Sequence, residues 1–229
     1  MFRQDRTKEL VPDKKDGGGV LLAVKSTLRA KRRHDLETDM EILWVQVNLS
    51  NKCKLYVATC YMNYPNSDMV KKFERSIEKV AGCLEQNSKL LVFGDFNLSD
   101  IAWCQTECKS ASITNKADLC PHSSYFTEIL DIHALEQYNT LPSQPQLTTN
   151  VLDLVLCSSV SSTVEYIEKA TISMYAALHV VVDISSEHNI THVNREAYNF
   201  KRTNWDEINK LLTHVDWSCL YHFVTQANF

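Results

Sequence analysis

The polar residues best placed for chemistry follow an apolar run in the middle of the chain. Asp95 and Asn97 come directly after Leu90–Gly94, and only Phe96 separates them. Side chains of an extended chain alternate in direction, so residues two apart are expected to face the same side. Open α/β sheets place their ligands at the carboxyl ends of strands, which is where this pair would lie. A plain turn is the competing interpretation, because glycine, aspartate and asparagine all favour turns.

An acid and a histidine in two later apolar runs are the next candidates. Asp153 lies within the run 151–156, where an unpaired buried carboxylate would be costly and therefore needs a partner. His179 lies at the start of the run 178–184. A carboxylate that accepts a hydrogen bond from one imidazole nitrogen fixes the tautomer and leaves the other nitrogen for a substrate. We therefore predict that Asp153 pairs with His179, with a histidine satisfied inside the core as the alternative.

A phenol completes the group. Tyr61 ends a further predicted strand, although a tyrosine in such a position often serves packing alone. Each of these residues has an ordinary structural interpretation when taken singly. An aspartate, an asparagine, a tyrosine and an Asp/His pair at different strand ends are together what a phosphodiester hydrolase requires. The combination therefore favours a hydrolytic site.

The elements that would carry these residues are strands and helices of a layered α/β domain. The apolar runs that predict strands are 20–24, 41–49, 54–61, 89–94, 151–156, 163–171 and 178–184. The periodic segments that predict helices are 68–86, capped by Ser67, then 123–133 and 203–214. The first three strands are expected to be neighbours. The basic segment 29–34 between the first two is interpreted as a solvated connector, with contact to phosphates as the alternative. A helix that leads into a buried strand indicates the α/β class.

Composition limits the classes of protein that remain. The chain of 229 residues is 44% hydrophobic and 23% charged, as globular proteins are. With 24 Lys+Arg against 28 Asp+Glu, the net charge of -4 argues against holding nucleic acid by bulk positive charge. Because the sequence shows neither a membrane-spanning run nor a secretory signal, we expect an intracellular protein that does not bind membranes. A shift to polar composition after Ser185 predicts a main domain over 1–186 and a linker with a helix over 187–229.

One group among the eight cysteines resembles a metal site. Cys104, Cys108, Cys120 and His122 are close in sequence and carry zinc-binding atoms. Their spacing matches no paired-ligand pattern, so we interpret them as loop residues rather than as a zinc site.

An ordered set of segments indicates a family. The stretch 91–97 reads L-V-F-G-D-F-N, and Asp100 and Trp103 follow it in D-I-A-W. Further segments are D-R and G-G-G-V within 3–24, E-I-L-W-V at 41–45, Y-M-N-Y-P at 61–65, L-D-L-V-L at 152–156 and the tail 198–205. In this order they resemble the endonuclease/exonuclease/phosphatase superfamily, in the version carried by non-LTR retrotransposons.

The resemblance implies a fold, a reaction and roles for the candidate residues. The fold is a four-layer α/β/β/α sandwich of the DNase I type, and the reaction is hydrolysis of DNA phosphodiester bonds assisted by Mg²⁺ or Mn²⁺, which would place the protein in the nucleus. In the family pattern Asp95 orients or deprotonates the attacking water, Asn97 holds the phosphate and Tyr61 binds a phosphate oxygen. His179, oriented by Asp153, stabilises the developing negative charge.

The chain departs from the family pattern where the metal is bound. The family's first strands and its principal metal-binding glutamate precede the D-R segment, with which this chain begins, so we expect them to be missing. Leu178 replaces the acid of the family's S-D-H triplet, and Pro145-Gln146-Leu147 alters its P-T-R turn. We therefore assign no metal ligand, and expect binding of Mg²⁺ to be weakened or lost and nuclease activity to be impaired.

Two other functions stay open. The chain could be a catalytically inactive remnant that acts at most as a binding scaffold, which the lost carboxylates favour. It could also be another phosphoesterase of the same fold, acting on a phospholipid, an inositol phosphate or a nucleotide. The tail 198–205 favours a retroelement origin over this last possibility.

Overall fold

The computed structural model describes most of the main domain and a few residues of the tail. The described residues are 1–6, 18–49, 53–85, 87–107, 110–158, 160–167, 176–184 and positions 207, 210 and 213. The chain forms two compact units, Met1–Asn189 and Ile190–Phe229. In the second unit the described residues Glu207, Lys210 and Thr213 are helical, within the predicted helix. No helix in the described part of the chain has the length and hydropathy that a membrane crossing requires.

The first unit combines strands with two α-helices. The strands in chain order are β1 (Phe2–Asp5), β2 (Gly19–Leu22), β3 (Arg29–Arg32), β4 (Glu41–Asn48), β5 (Lys54–Tyr61), β6 (Lys89–Asp95), β7 (Trp103–Gln105), β8 (Ala111–Ile113), β9 (Glu136–Gln137), β10 (Asp153–Ser158), β11 (Ser161–Tyr166) and β12 (Leu178–Asp183). The α-helices are α1 (Ser67–Ala81) and α2 (Pro121–Ile132), and short 3-10 turns cover His34–Leu36 and Lys116–Asp118.

A six-stranded sheet forms the centre of this unit. Its strand order is β3-β4-β5-β6-β10-β9, and β7-β8, β1-β2 and β11-β12 form separate two-stranded sheets. Strands β5 and β6 are parallel, and helix α1 connects them. Their carboxyl ends therefore meet at one edge of the sheet, and the antiparallel neighbours β4 and β10 begin at the same edge.

Each face of the central sheet is covered by a separate hydrophobic core. The helix-side core lies under α1 and α2, and its largest members are Trp44, Tyr56, Phe73, Phe96 and Phe126. The strand-side core lies against β1-β2 and β11-β12, and it includes Val20, Leu43, Val57, Leu91 and Val155. A helix layer, a sheet and a second strand layer are thus present, and the predicted α/β class is confirmed. Helices outside the second strand layer do not occur among the described residues.

Two strands differ from the sequence-based prediction. Strand β2 was expected beside β4, but it pairs with β1 and packs Val20 and Leu22 onto the face of the sheet, so the expectation of three neighbouring strands was wrong. The basic segment that the sequence predicts to be a connector forms β3, the outermost strand of the central sheet. Its Ala30 packs against the strand-side core, and Arg29 and Lys31 are exposed. Exposed charges on an edge strand discourage pairing with other chains.

Helix α1 also begins differently from the prediction. Its N-cap is Asn66, whose side-chain oxygen accepts hydrogen bonds from the backbone N–H groups of Asp68 and Met69, both at 3.0 Å. Ser67, the predicted cap, is the first helical residue. The helix ends at Ala81, before Gly82, rather than at residue 86.

Candidate active site

Four polar residues form a row across the edge where β5 and β6 end. Glu41 on β4 is the cross-strand partner of Tyr61 on β5, and Tyr61 is in register with Asp95 on β6. Asp95 in turn is the partner of Asp153 on β10. Residues directly opposite on antiparallel strands have Cβ atoms about 4.5–5.5 Å apart. The sheet therefore brings together three of the five predicted residues, Tyr61, Asp95 and Asp153.

The whole row faces the strand-side core. On β6, Leu91 and Phe93 pack with that core, and Asp95 follows them at the two-residue period of a strand. On β10, Asp153 has the same relation to Val155. Side chains directly paired across a sheet lie on the same face. The four residues of the row are therefore the last ones on the face that packs against the strand-side core, which is the inner face of the sheet.

The backbone conformation at the end of β6 and in the loop after it explains why glycine, aspartate, phenylalanine and asparagine follow one another here. Gly94 has φ 155°, and a Cβ atom there would lie 1.8 Å from the carbonyl oxygen of Cys60, so only glycine lets β6 approach β5 this closely. Asp95 Oδ1 accepts the backbone N–H of Asn97 at 3.1 Å, and Asn97 adopts φ 53°, a left-handed conformation that asparagine tolerates. The turn interpretation is thus correct, and the turn places Asn97 next to Asp95. A ligand site at this pair stays a prediction.

Phe96 anchors that loop to the helix layer. Its ring is fully buried and lies 5.4 Å from the rings of both Phe73 on α1 and Phe126 on α2. The Asn97 side chain donates a hydrogen bond from Nδ2 to the Met62 carbonyl at 3.0 Å, which ties the loop to the end of β5. Asn97 therefore lies beside the row, next to Asp95.

Burial and a neighbouring charge make the Asp95 carboxyl easier to protonate than an ordinary aspartate. Burial first, and then the neighbouring Asp153 carboxylate, raise the pKa of Asp95 to about 6, against a smaller lowering by its hydrogen bonds with Asn97. Burial and the Asp95 charge likewise raise the pKa of Tyr61, so its phenol is a neutral hydrogen-bond donor at pH 7. A carboxyl that titrates near neutrality can take up a proton during a reaction.

Two charged residues at this edge were not among the predicted site residues. Arg6 forms a bidentate ion pair with Glu41, and their side chains are only 9% and 3% exposed. The Arg6 guanidinium carbon lies 4.9 Å from the centroid of the Tyr61 ring. The sequence signal that could have found them is an acid at the start of the apolar strand 41–48, which burial requires to be paired.

The predicted pairing of Asp153 with His179 does not appear as a hydrogen bond among the described residues. His179 is exposed on β12, on the face opposite to Val180 and Val182, which pack against the strand-side core. The start of β12 nevertheless lies near the row, because the Ala176 N–H donates to the carbonyl of Ser143, whose hydroxyl accepts the N–H of Asp153. The catalytic role of His179 stays a prediction.

Comparison with known families agrees with this geometry. The family model described as endonuclease-reverse transcriptase matches residues 55–192, more than half of the chain, including Tyr61, Asp95, Asn97 and Asp153. The chain belongs to this endonuclease-reverse transcriptase family. The resemblance to retroelement endonucleases is thereby confirmed. A comparison with curated proteins gives no significant match.

Several solved structures are similar to the chain. The endonuclease domain of TRAS1, a telomere-specific non-LTR retrotransposon, is 13% identical with a TM-score of 0.47, over 71% of this chain and 71% of that one. Humanized D. rerio TDP2 is 14% identical with a TM-score of 0.39, over 68% of this chain and 64% of that one. An AP endonuclease from Archaeoglobus fulgidus is 13% identical with a TM-score of 0.35, over 61% of this chain and 65% of that one.

The donor atoms at the row suit the metal-dependent chemistry general in the endonuclease-reverse transcriptase family. Asp95 and Asp153 place two carboxylates side by side, and no hydrogen bond or ion pair to the Asp153 carboxylate occurs within the described residues. Asn97 donates from Nδ2 to Met62, which leaves its amide oxygen as a further atom that can bind a metal ion. Carboxylate and amide oxygens are the ligands that Mg²⁺ and Mn²⁺ take in proteins. The residues present therefore fit a hard divalent cation.

A second group of metal-binding atoms lies at the start of α2, away from the row in sequence. One donor atom each from Asp100, Cys120 and His122 lies within 4.8 Å of the others. The Asp100 carboxylate already accepts the Cys120 N–H at 3.0 Å and the Ser123 hydroxyl at 2.6 Å, and it thus ties its loop to the start of the helix. Of the four residues considered in the sequence, Cys104 instead contacts Ser112, and Cys108 lies outside the described residues. These hydrogen bonds give the Asp100 carboxylate a structural role.

Proposed function

We propose that this chain is an endonuclease domain that hydrolyses phosphodiester bonds of DNA with the help of Mg²⁺ or Mn²⁺. The observation that carries the proposal is the alignment of Tyr61, Asp95 and Asp153 across three adjacent strands, with Asn97 beside them. A DNA substrate would place the protein in the nucleus. Family membership supports the nuclease class, and the row supplies the groups that the reaction needs.

Each residue of the row has a part in the proposed reaction. Asp95 orients the attacking water and accepts its proton. The neutral phenol of Tyr61 donates a hydrogen bond to one phosphate oxygen, and Asn97 donates to another from the Nδ2 hydrogen that Met62 does not take. Asp95, Asp153 and the Asn97 amide oxygen are the residues that would hold the cation. A bound Mg²⁺ or Mn²⁺ supplies neutralisation of the phosphate charge.

We further propose that activity is weak. Leu178 stands where the family pattern has an acid, and the exposed His179 forms no hydrogen bond with Asp153 within the described part of the chain. The loss of one member of an interdependent catalytic set lowers rates by orders of magnitude. The same observation favours a second candidate function, an inactive scaffold that binds DNA without cutting it.

Nicking of supercoiled plasmid DNA in Mg²⁺ or Mn²⁺ tests the proposal. We expect slow nicking by the wild type and a loss of about 100-fold or more in Asp95→Asn. Asp131→Asn, which changes an exposed aspartate on α2, is the matched control and should cut like the wild type. Equal nicking by wild type and Asp95→Asn would reject the proposed site. DNA binding by gel shift with no nicking would select the scaffold.

A further inference from the structure

The guanidinium group of Arg6 is enclosed by three parts of the chain. Its Nε donates to Glu41 Oε1 at 2.5 Å and its Nη2 to Glu41 Oε2 at 3.1 Å. Its central carbon lies over the ring of Tyr61, 4.9 Å from the centroid. On another side is Gly18, where an added Cβ atom would lie 3.0 Å from Arg6 Cζ and Nη1. The group therefore has little freedom to move.

Gly18 also holds the backbone of Arg6. The Arg6 N–H donates to the Gly18 carbonyl at 3.1 Å, which continues the pairing of β1 with β2. Gly18 has φ 99°, a conformation that glycine adopts without strain. The arginine and glycine segments singled out in the sequence thus meet at one point, although none of their residues belongs to the predicted catalytic set.

The ion pair is not accounted for by stability alone. Taking a guanidinium and a carboxylate out of water costs about as much free energy as their attraction returns, and apolar pairs of similar size are often as stable. What a buried, bidentate pair does supply is a fixed geometry. The fixed group here contacts Tyr61, which is the neighbour of Asp95 in the row.

We propose that Arg6, held by Glu41 and Gly18, is a positioning residue that fixes the ring of Tyr61 at the edge of the sheet beside Asp95. The role of Tyr61 as a phosphate ligand rests on the proposed function, whereas the fixing of its ring does not. Arg6 acts through Tyr61: its side chain is almost fully buried, so the guanidinium itself is not offered to DNA.

Fluorine NMR of protein labelled with 3-fluorotyrosine tests the fixing of the ring. Tyr61→Phe identifies the resonance of Tyr61. In Arg6→Met we expect that resonance to narrow and to move toward the shift of an unfolded tyrosine, since the ring gains freedom. Arg3→Met removes an exposed arginine from the same strand and should leave the resonance in place. An unchanged Tyr61 resonance in folded Arg6→Met overturns the proposal.

A second variant distinguishes loss of the ring contact from unfolding of the protein. Arg6→Met leaves the Glu41 carboxylate buried without a partner, so the double variant Arg6→Met/Glu41→Gln, which removes both charges, is measured as well. The same change of the Tyr61 resonance is expected in it. Arg6→Lys keeps the charge but not the planar fork, and it should not restore the wild-type resonance. Full restoration by lysine would show that charge alone matters and would overturn the positioning role.

DNA affinity, measured without metal by fluorescence anisotropy of a labelled duplex, connects the ring to its function. We expect Arg6→Met and Tyr61→Phe each to weaken DNA binding about threefold to tenfold, which is the effect of losing one hydrogen bond. The combined variant Arg6→Met/Tyr61→Phe should bind no worse than Tyr61→Phe alone, because Arg6 acts through the phenol. Additive losses overturn the positioning role. A freed ring with unchanged DNA affinity would instead reject Tyr61 as a phosphate ligand and leave the ring contact standing.

Discussion

Asp95 and Asp153 face each other directly across the antiparallel strands β6 and β10, on the inner face of the central sheet. Burial first, and then repulsion by the Asp153 carboxylate, raise the pKa of Asp95 to about 6. Folding does not need this arrangement, since an amide would fit the same space without repulsion. A costly pair of acids at a strand end is typical of a functional site.

Replacing Asp95 by asparagine should stabilise the fold at neutral pH. The folded-state pKa of about 6 lies above the ordinary aspartate value of 3.8, so the folded protein binds the extra proton and the free energy of unfolding falls as pH rises between these values. We expect Asp95→Asn to be more stable than the wild type by about 1 kcal/mol at pH 7, with solvent screening of a partly buried carboxyl allowed for. Urea unfolding at pH 7 and at pH 4 checks this. A gain of the same size at pH 4 would show that the charge of the Asp95 carboxylate is not its cause.

Gly94→Ala should destabilise the protein severely. The added Cβ atom would lie 1.8 Å from the Cys60 carbonyl oxygen, and the residue would also keep φ 155°. We expect a loss of about 3 kcal/mol or more in the free energy of unfolding. Gly82→Ala is the matched control: its Cβ would lie no closer than 3.6 Å to other atoms in a helical conformation, and a gain of about 0.4–1 kcal/mol is expected. Thermal unfolding of the two variants compares them.

The start of α1 provides a test of the capping assignment. Asn66→Ala removes the acceptor of two backbone N–H groups and should cost about 1 kcal/mol. Ser67→Ala changes the residue that the sequence indicated as the cap, and it should change stability by less than about 0.5 kcal/mol. The reverse order of the two effects in chemical denaturation would restore Ser67 as the cap.

Restoring the missing acid should raise activity. Leu178→Asp puts a carboxylate back at the position where the family pattern has one, and we expect plasmid nicking in Mn²⁺ to increase about tenfold or more. Val181→Asp adds the same charge to the exposed face of β12 and serves as the control. If both variants cut no faster than the wild type, the weakness of the site has a cause other than Leu178.

Local patterns predicted the parts of the site that lie close together in sequence. The buried strand through Phe93 and the polar turn after it were readable because apolar runs and turn residues carry their own preferences. The apolar face of α1, with Val70, Phe73 and Ile77, followed from its period in the same way.

Contacts between distant segments were not predictable in this way. The ion pair between Arg6 and Glu41 joins residues 35 positions apart, and the pairing of β2 with β1 rather than β4 depends on packing of the whole sheet face. The cap at Asn66 was missed because asparagine and serine are both good caps and stand side by side. The Asp153–His179 pairing was argued from residue types alone, which give no distance.

The position of the metal site is most directly measured by titrating Mn²⁺ into protein labelled with ¹³C at the aspartate carboxyls. Asp95→Asn and Asp153→Asn assign the two signals, and paramagnetic broadening marks the carboxyls nearest the cation. We expect the signals of Asp95 and Asp153 to broaden first, at Mn²⁺ concentrations that leave Asp100 sharp. Broadening of Asp100 ahead of both, or equal broadening of every aspartate, would mean that the edge formed by β5, β6 and β10 is not the metal site.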